Sequence, residues 1–181
     1  MGAVVASFDV DTNQELKYGQ RGEIRAVTPA RMKGYYKNPE TTKEFFYEDE
    51  EGRKWGCTGD IGYVDEDGDV FILGRASDGF YVEDNKWMYA FDVENVILQE
   101  QSVAACKVVK RDLNGTKVLV AHLVWNRDAT QGEQKIASRL YQLCCIQLKV
   151  CAIPKYYKAH YALPVHSNGK QDNEALRKDV D

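Results

Sequence analysis

The chain has 181 residues, 44% of them hydrophobic and 29% charged, a balance that fits a folded globular protein and excludes disordered, collagen-like and membrane-embedded classes. Lys and Arg total 24 against 28 for Asp and Glu, a formal net charge of -4, so no broad positive field draws the chain to nucleic acid or an anionic membrane. Five cysteines without paired C-x-x-C spacing argue against a closed disulfide framework and suit reduced thiols of a cytoplasmic protein.

In chain order, the start through Ala6 has no basic flank and turns acidic by Asp9, so it reads as a cut inside a longer frame rather than a secretion signal. No apolar stretch approaches the roughly 18 residues of a membrane span. Short strands are expected at 3–9, 22–28 and 70–73, with Asp-Thr-Asn and Asp-Glu-Asp-Gly supplying turns. A helix over 39–46 interrupts them, with Asn38 as cap and Pro39 at its first position.

After Arg75 the pattern changes to strands at 80–82, 86–89, 104–110 and 117–124 and helices at 92–101, 133–148 and 172–178. Ile136, Leu140, Leu143 and Ile146 or Gln147 fall near one face of the longer helix, and Asp112-Leu113-Asn114-Gly115 between apolar runs signals a hairpin. The expected fold class is α+β: a small β-rich part over 1–75, then a compact α+β domain over 76–181 with helices against an antiparallel sheet.

Three segments carry candidate chemistry. Thr58-Gly59-Asp60 sets a carboxylate beside a glycine in what reads as a tight turn, suited to gripping vicinal hydroxyls such as those of a ribose. An apolar strand ends in Gly74-Arg75, whose guanidinium can donate to ribose or phosphate oxygens, and Ser77-Asp78-Gly79 beside it suits a hinge. Gly169-Lys170 places a lysine on a loop from which it can neutralise charge growing on a phosphoryl or carboxylate oxygen. Taken singly, each segment reads more readily as a plain turn, a surface ion pair or a solvated lysine.

Their joint order resembles the adenylate-forming superfamily of acyl- and aryl-CoA ligases, luciferases and peptide-synthetase adenylation domains. Gly22-Glu23-Ile24, Met32-x-Gly34-Tyr35 with Pro39 and Thr42, Thr58-Gly59-Asp60, Gly74-Arg75, and Leu163-Pro164 through Gly169-Lys170 to Leu176-Arg177 match that family's segments across nearly the whole chain. The resemblance implies the C-terminal end of an acid–CoA ligase, such as a long-chain fatty acid–CoA ligase, acting on ATP with Mg2+, a small carboxylic acid, and CoA or pantetheine as thiol. It assigns nucleotide binding to Thr58, Asp60 and Arg75, the catalytic lysine to Lys170, the hinge to Ser77 and Asp78, and a thiol-side hairpin to Asn85, Lys86 and Trp87. It assigns no metal ligand to this segment.

Two departures qualify the match. The stretch between Arg75 and Glu94 is about one residue longer than usual, with Asn85 where the family has glycine. A Gly/Ser/Thr-rich phosphate loop and an aromatic-x-Thr-Glu segment are absent, so the first partner is expected to be a larger upstream domain of the same polypeptide, and this segment alone is not expected to adenylate an acid. The alternatives are an adenylation domain that loads a carrier protein and a non-catalytic stand-alone module. The histidines, His122, His160 and His166, show no metal spacing with the cysteines.

Overall fold

Ala6 and Phe8, two positions apart and both buried, share one face of the first strand, β1 (Val4–Phe8). In the computed structural model, which describes residues 2–82, 86–113, 115–126 and 133–179, the chain divides into two units, Met1–Ser77 and Asp78–Asp181.

The first unit is a five-stranded sheet in which β1 pairs antiparallel with β2 (Gly22–Val27), β2 with β4 (Lys54–Val64), and β4 with both β3 (Phe46–Glu48) and β5 (Val70–Arg75). Helix α1 (Pro39–Phe45) starts as expected, because Asn38 accepts from the Thr41 amide at 3.1 Å and Pro39 needs no partner for a missing N–H. It ends one residue early, where Phe46 turns extended and opens β3. The core is small: Ala6, Phe8 and the fully buried Trp55, with Phe8 edge-on to the indole at 4.8 Å. Val70, Phe71 and Ile72 of β5 leave apolar side chains exposed.

The expectation at Thr58-Gly59-Asp60 needs correction. These residues lie inside the 11-residue strand β4, not in a tight turn. Gly59 has φ +69°, and the pairing shifts register between Glu23 and Arg25 and again between Ile61 and Gly62. The strand therefore bulges there, which re-aims the Asp60 side chain without ending the ladder.

In the second unit β6 (Gly79–Val82) and β7 (Lys86–Tyr89) form a hairpin. Helix α2 (Ala90–Ile97) begins two residues before the expected start and gives way to tight turns from Leu98 on. Strands β8 (Val103–Leu113) and β9 (Thr116–Trp125) make the expected hairpin, with Gly115 at φ +81° and its amide donating to Asp112 Oδ1 at 2.7 Å; Asn114 lies outside the described residues. After α3 (Glu133–Gln147), β10 (Tyr156–His160) pairs parallel with β9. The sheet is thus mixed rather than antiparallel, because a helical crossover between neighbouring strands returns the chain to run in the same direction.

Alternation along β9 sorts the helices. Leu119, Ala121 and Leu123 pack with Val93 and Ile97 of α2 and with Ile136, Leu140 and Cys144 of α3, while Val118 and Val120 pack with Leu176 of α4 (Asn173–Lys178). Burying that many aliphatic side chains, at about 1.5–3 kcal/mol each, supplies most of the drive for this unit. Ile146 and Cys145 point to solvent, so the buried stripe of α3 ends at Leu143 and Cys144. Among the described residues no helix is long and apolar enough to cross a membrane.

Candidate functional site

The bulge in β4 assembles a polar cluster from three strands. The Thr58 hydroxyl donates to the Ile24 carbonyl at 2.7 Å and accepts from the Asp60 amide at 3.0 Å, which fixes the peptide on both sides of Gly59. The Gly59 amide donates to Glu23 Oε1 at 3.1 Å, and Glu23 Oε2 accepts from Arg25 Nε at 2.8 Å. Arg25 is buried, donates to Asn13 Oδ1 at 2.7 Å, and lies over the rings of Phe8 and Tyr47 at 4.8 and 5.0 Å. A desolvated guanidinium needs such compensation from a carboxylate and π faces.

Asp60 faces Arg75 across the β4–β5 ladder. Arg75 Nη1 donates to Asp60 Oδ1 at 2.6 Å and to the Thr58 carbonyl at 3.1 Å. Both side chains reach solvent, the Asp60 carboxylate 30% and the Arg75 guanidinium 56% exposed. One carboxylate oxygen is therefore engaged, while Oδ2 accepts nothing among the described residues, and the expected grip by both oxygens is half occupied by Arg75. The cluster offers one acceptor and several cationic donors, a pattern matched to a sugar hydroxyl beside a phosphate.

Lys170 sits in the second unit on a braced loop. The His166 amide donates to the Lys170 carbonyl at 2.7 Å, the Gly169 amide to the His166 carbonyl at 2.9 Å, and the Asp172 amide to the Pro164 carbonyl at 2.9 Å. Gly169 at φ +78° closes the turn, and Asn168 Oδ1 accepts from the Lys170 amide at 3.0 Å. The ammonium is exposed and pairs with nothing among the described residues.

Ser77 and Asp78 lie in a 3-10 turn, Ala76–Asp78, Ser77 exposed and Asp78 largely covered. Of the thiol-side hairpin, Asn85 lies outside the described residues and Lys86 opens β7. Trp87 stands edge-on to Tyr81 at 4.7 Å and covers Gly79 so closely that an added Cβ there would sit 2.2 Å from the indole.

A further constellation went unread. His122 Nδ1 and His160 Nε2 are 2.7 Å apart, and with the Asp179 carboxylate their ligand atoms lie within 4.8 Å of one another. Burial first, and the His160 charge second, hold His122 down at about 4. Asp179 is already met by Lys158 Nζ at 2.7 Å, and Arg111 Nη1 donates to its carbonyl at 2.5 Å. Two imidazoles and one carboxylate do not make the all-oxygen shell that Mg2+ takes, so these donors do not fit that ion. Glu23 and Arg25 were also missed, although Gly22-Glu23-Ile24 flagged the segment; Glu23 meets Gly59 across 36 positions and Arg25 meets Asn13 across 12.

No family model matches the chain. A 2-succinylbenzoate–CoA ligase of Bacillus licheniformis is 31% identical over 166 residues, 91% of this chain and 32% of that protein. The fatty acid–[acyl-carrier-protein] ligase ScoC of Streptomyces coeruleorubidus is 33% identical over 165 residues, covering 91% and 30%. ATP-bound MatB of Rhodopseudomonas palustris superposes with a TM-score of 0.80 at 27% identity, over 98% of this chain and 34% of that one. The chain belongs to the adenylate-forming ligases. It spans about a third of the length of the curated relatives it matches and corresponds to the C-terminal portion of the adenylate-forming fold.

Proposed function

We propose that this chain is the C-terminal part of an ATP-dependent acid–CoA ligase, cytoplasmic, in which Asp60 and Arg75 hold the ribose and phosphate side of a nucleotide and Lys170 serves the first half-reaction. In that step a carboxylate oxygen attacks the α-phosphorus of ATP, an O–P bond forms, and pyrophosphate leaves with the electrons of the broken bond. The Lys170 ammonium neutralises the charge shared by carboxylate and phosphate oxygens as they meet. In the second step a thiolate sulfur attacks the acyl carbon and AMP departs, the thiol proton passing to solvent. Between the steps the chain turns at Ala76 and Ser77 to withdraw Lys170 and bring up the Trp87 hairpin.

One observation carries this reading: the exposed ammonium of Lys170, unpaired among the described residues, on a loop held by four hydrogen bonds, since a merely solvated lysine needs no such bracing. Mg2+ chemistry, where used, falls to residues beyond this segment, and no step here passes through it. The test uses the full-length polypeptide. Lys170→Ala is expected to cut acid-dependent ATP–pyrophosphate exchange by about 100-fold or more while largely sparing thioester formation from a preformed acyl-adenylate. Equal exchange in both proteins would remove Lys170 from this role; transfer to carrier-bound pantetheine in preference to CoA would reassign the thiol.

A further inference from the structure

The Asp78 carboxylate is 10% exposed, and three donors converge on it. Asn173 Nδ2 lies 3.1 and 3.3 Å from its two oxygens, Arg177 Nη2 is 3.4 Å away, and Lys107 Nζ of β8 is 3.5 Å away. Lys107 is shared with Glu94 at 3.1 Å, and Glu94 accepts from the Val108 amide at 2.8 Å. Asn173 and Arg177 both belong to α4, which starts directly after Lys170, Gln171 and Asp172. Leu176 on the same helix is fully buried against β8 and β9, and Asn173 Oδ1 is buried with no partner among the described residues, so this amide is placed for its bonds to Asp78 and not for its own solvation.

We propose that Asp78 is a positioning residue that ties the Lys170-bearing segment to the chain directly after Ser77, so that Lys170 moves as one body with Asp78. Ser77 and Asp78, alike as hinge residues in sequence, differ in their surroundings. A hinge must rotate freely, and Ser77 is exposed, whereas the largely covered Asp78 carboxylate accepts hydrogen bonds from Asn173 and Arg177 of α4 and forms an ion pair with Lys107 of β8. Rotation at Ser77 or before leaves the Asp78–Asn173 contacts whole; rotation at Asp78 itself breaks them. Lys170 then reaches its reaction partner in a set orientation, and loosening the tether lowers the chance of productive placement. The functional half of this inference rests on the adenylation reading of Lys170.

Two measurements test it. In the 181-residue chain, Asn173→Ala and Asp78→Asn are each expected to speed amide exchange at His166, Gly169, Lys170 and Asp172 by about tenfold, with Glu174→Ala on the exposed face of α4 unchanged. In the full-length polypeptide the same two variants are expected to slow pyrophosphate exchange about tenfold at saturating ATP and to leave thioester formation from preformed acyl-adenylate within about twofold. Unchanged amide exchange in that loop overturns the tether, and equal slowing of both half-reactions overturns the positioning role. A loosened loop in Asn173→Ala beside full exchange activity in Lys170→Ala would sink the reading of Lys170 while the tether stands.

Discussion

Arg75 and Asp60 hold each other at 2.6 Å across the β4–β5 ladder, so the two groups proposed to meet a nucleotide also engage one another. At 56% and 30% exposure the pair adds little to folding, about 0–1 kcal/mol. Asp60→Ala is therefore expected to leave the urea midpoint nearly unchanged and to raise the KM for ATP of the full-length polypeptide about tenfold or more. A large loss of stability with an unaltered KM would make the pair structural.

Glu23 stands in the opposite regime. Arg25 is buried beside it, and its Nη1 has no partner among the described residues, so the cation depends on Glu23 and Asn13. Glu23→Ala is expected to cost about 3–5 kcal/mol by denaturant titration, because it strands a buried charge and frees the Gly59 amide. Glu23→Gln, which keeps an acceptor, should cost less; equal losses would place the effect in packing.

Gly79→Ala would drive a methyl into the Trp87 indole. Overpacking of this kind costs about 1–3 kcal/mol, and the displaced ring should change its fluorescence. If the hairpin serves the thiol, this variant slows thioester formation more than pyrophosphate exchange, the reverse of Lys170→Ala.

The His122 pair gives a pH dependence of stability. Its folded-state value of about 4 lies below the ordinary 6.5, so the unfolded chain takes up the proton more readily. The stability is whole above pH 6.5 and drains away as the pH falls from 6.5 through about 4. At about 1.4 kcal/mol per unit the loss reaches roughly 3 kcal/mol. His122→Gln should flatten this part of a stability-versus-pH curve; an unaltered slope would assign it to other groups.

What could be read from sequence divides along contact range. The start of α1 was legible because Asn38 and Pro39 are local signals, and the β8–β9 turn because Asp112 and Gly115 are. Strand β4 was not, since Gly56, Gly59 and Gly62 break its alternation and the ladder shifts register twice beside them. The parallel pairing of β10 depends on where α3 returns the chain, which no local pattern encodes. Positions 58, 60, 75 and 170 could be picked out by order and spacing, but Glu23 under Gly59 and Asn173 on Asp78 join residues 36 and 95 apart.

Val70, Phe71 and Ile72 lie 41%, 41% and 54% exposed on β5, whose described ladder runs along β4 alone. An apolar strand with an open margin recruits other strand margins. In a tube of the 181-residue chain by itself, light scattering should climb with concentration and fall when a lysine replaces Ile72, so the ceiling on sample strength would be colloidal, set by three side chains and not by the melting point.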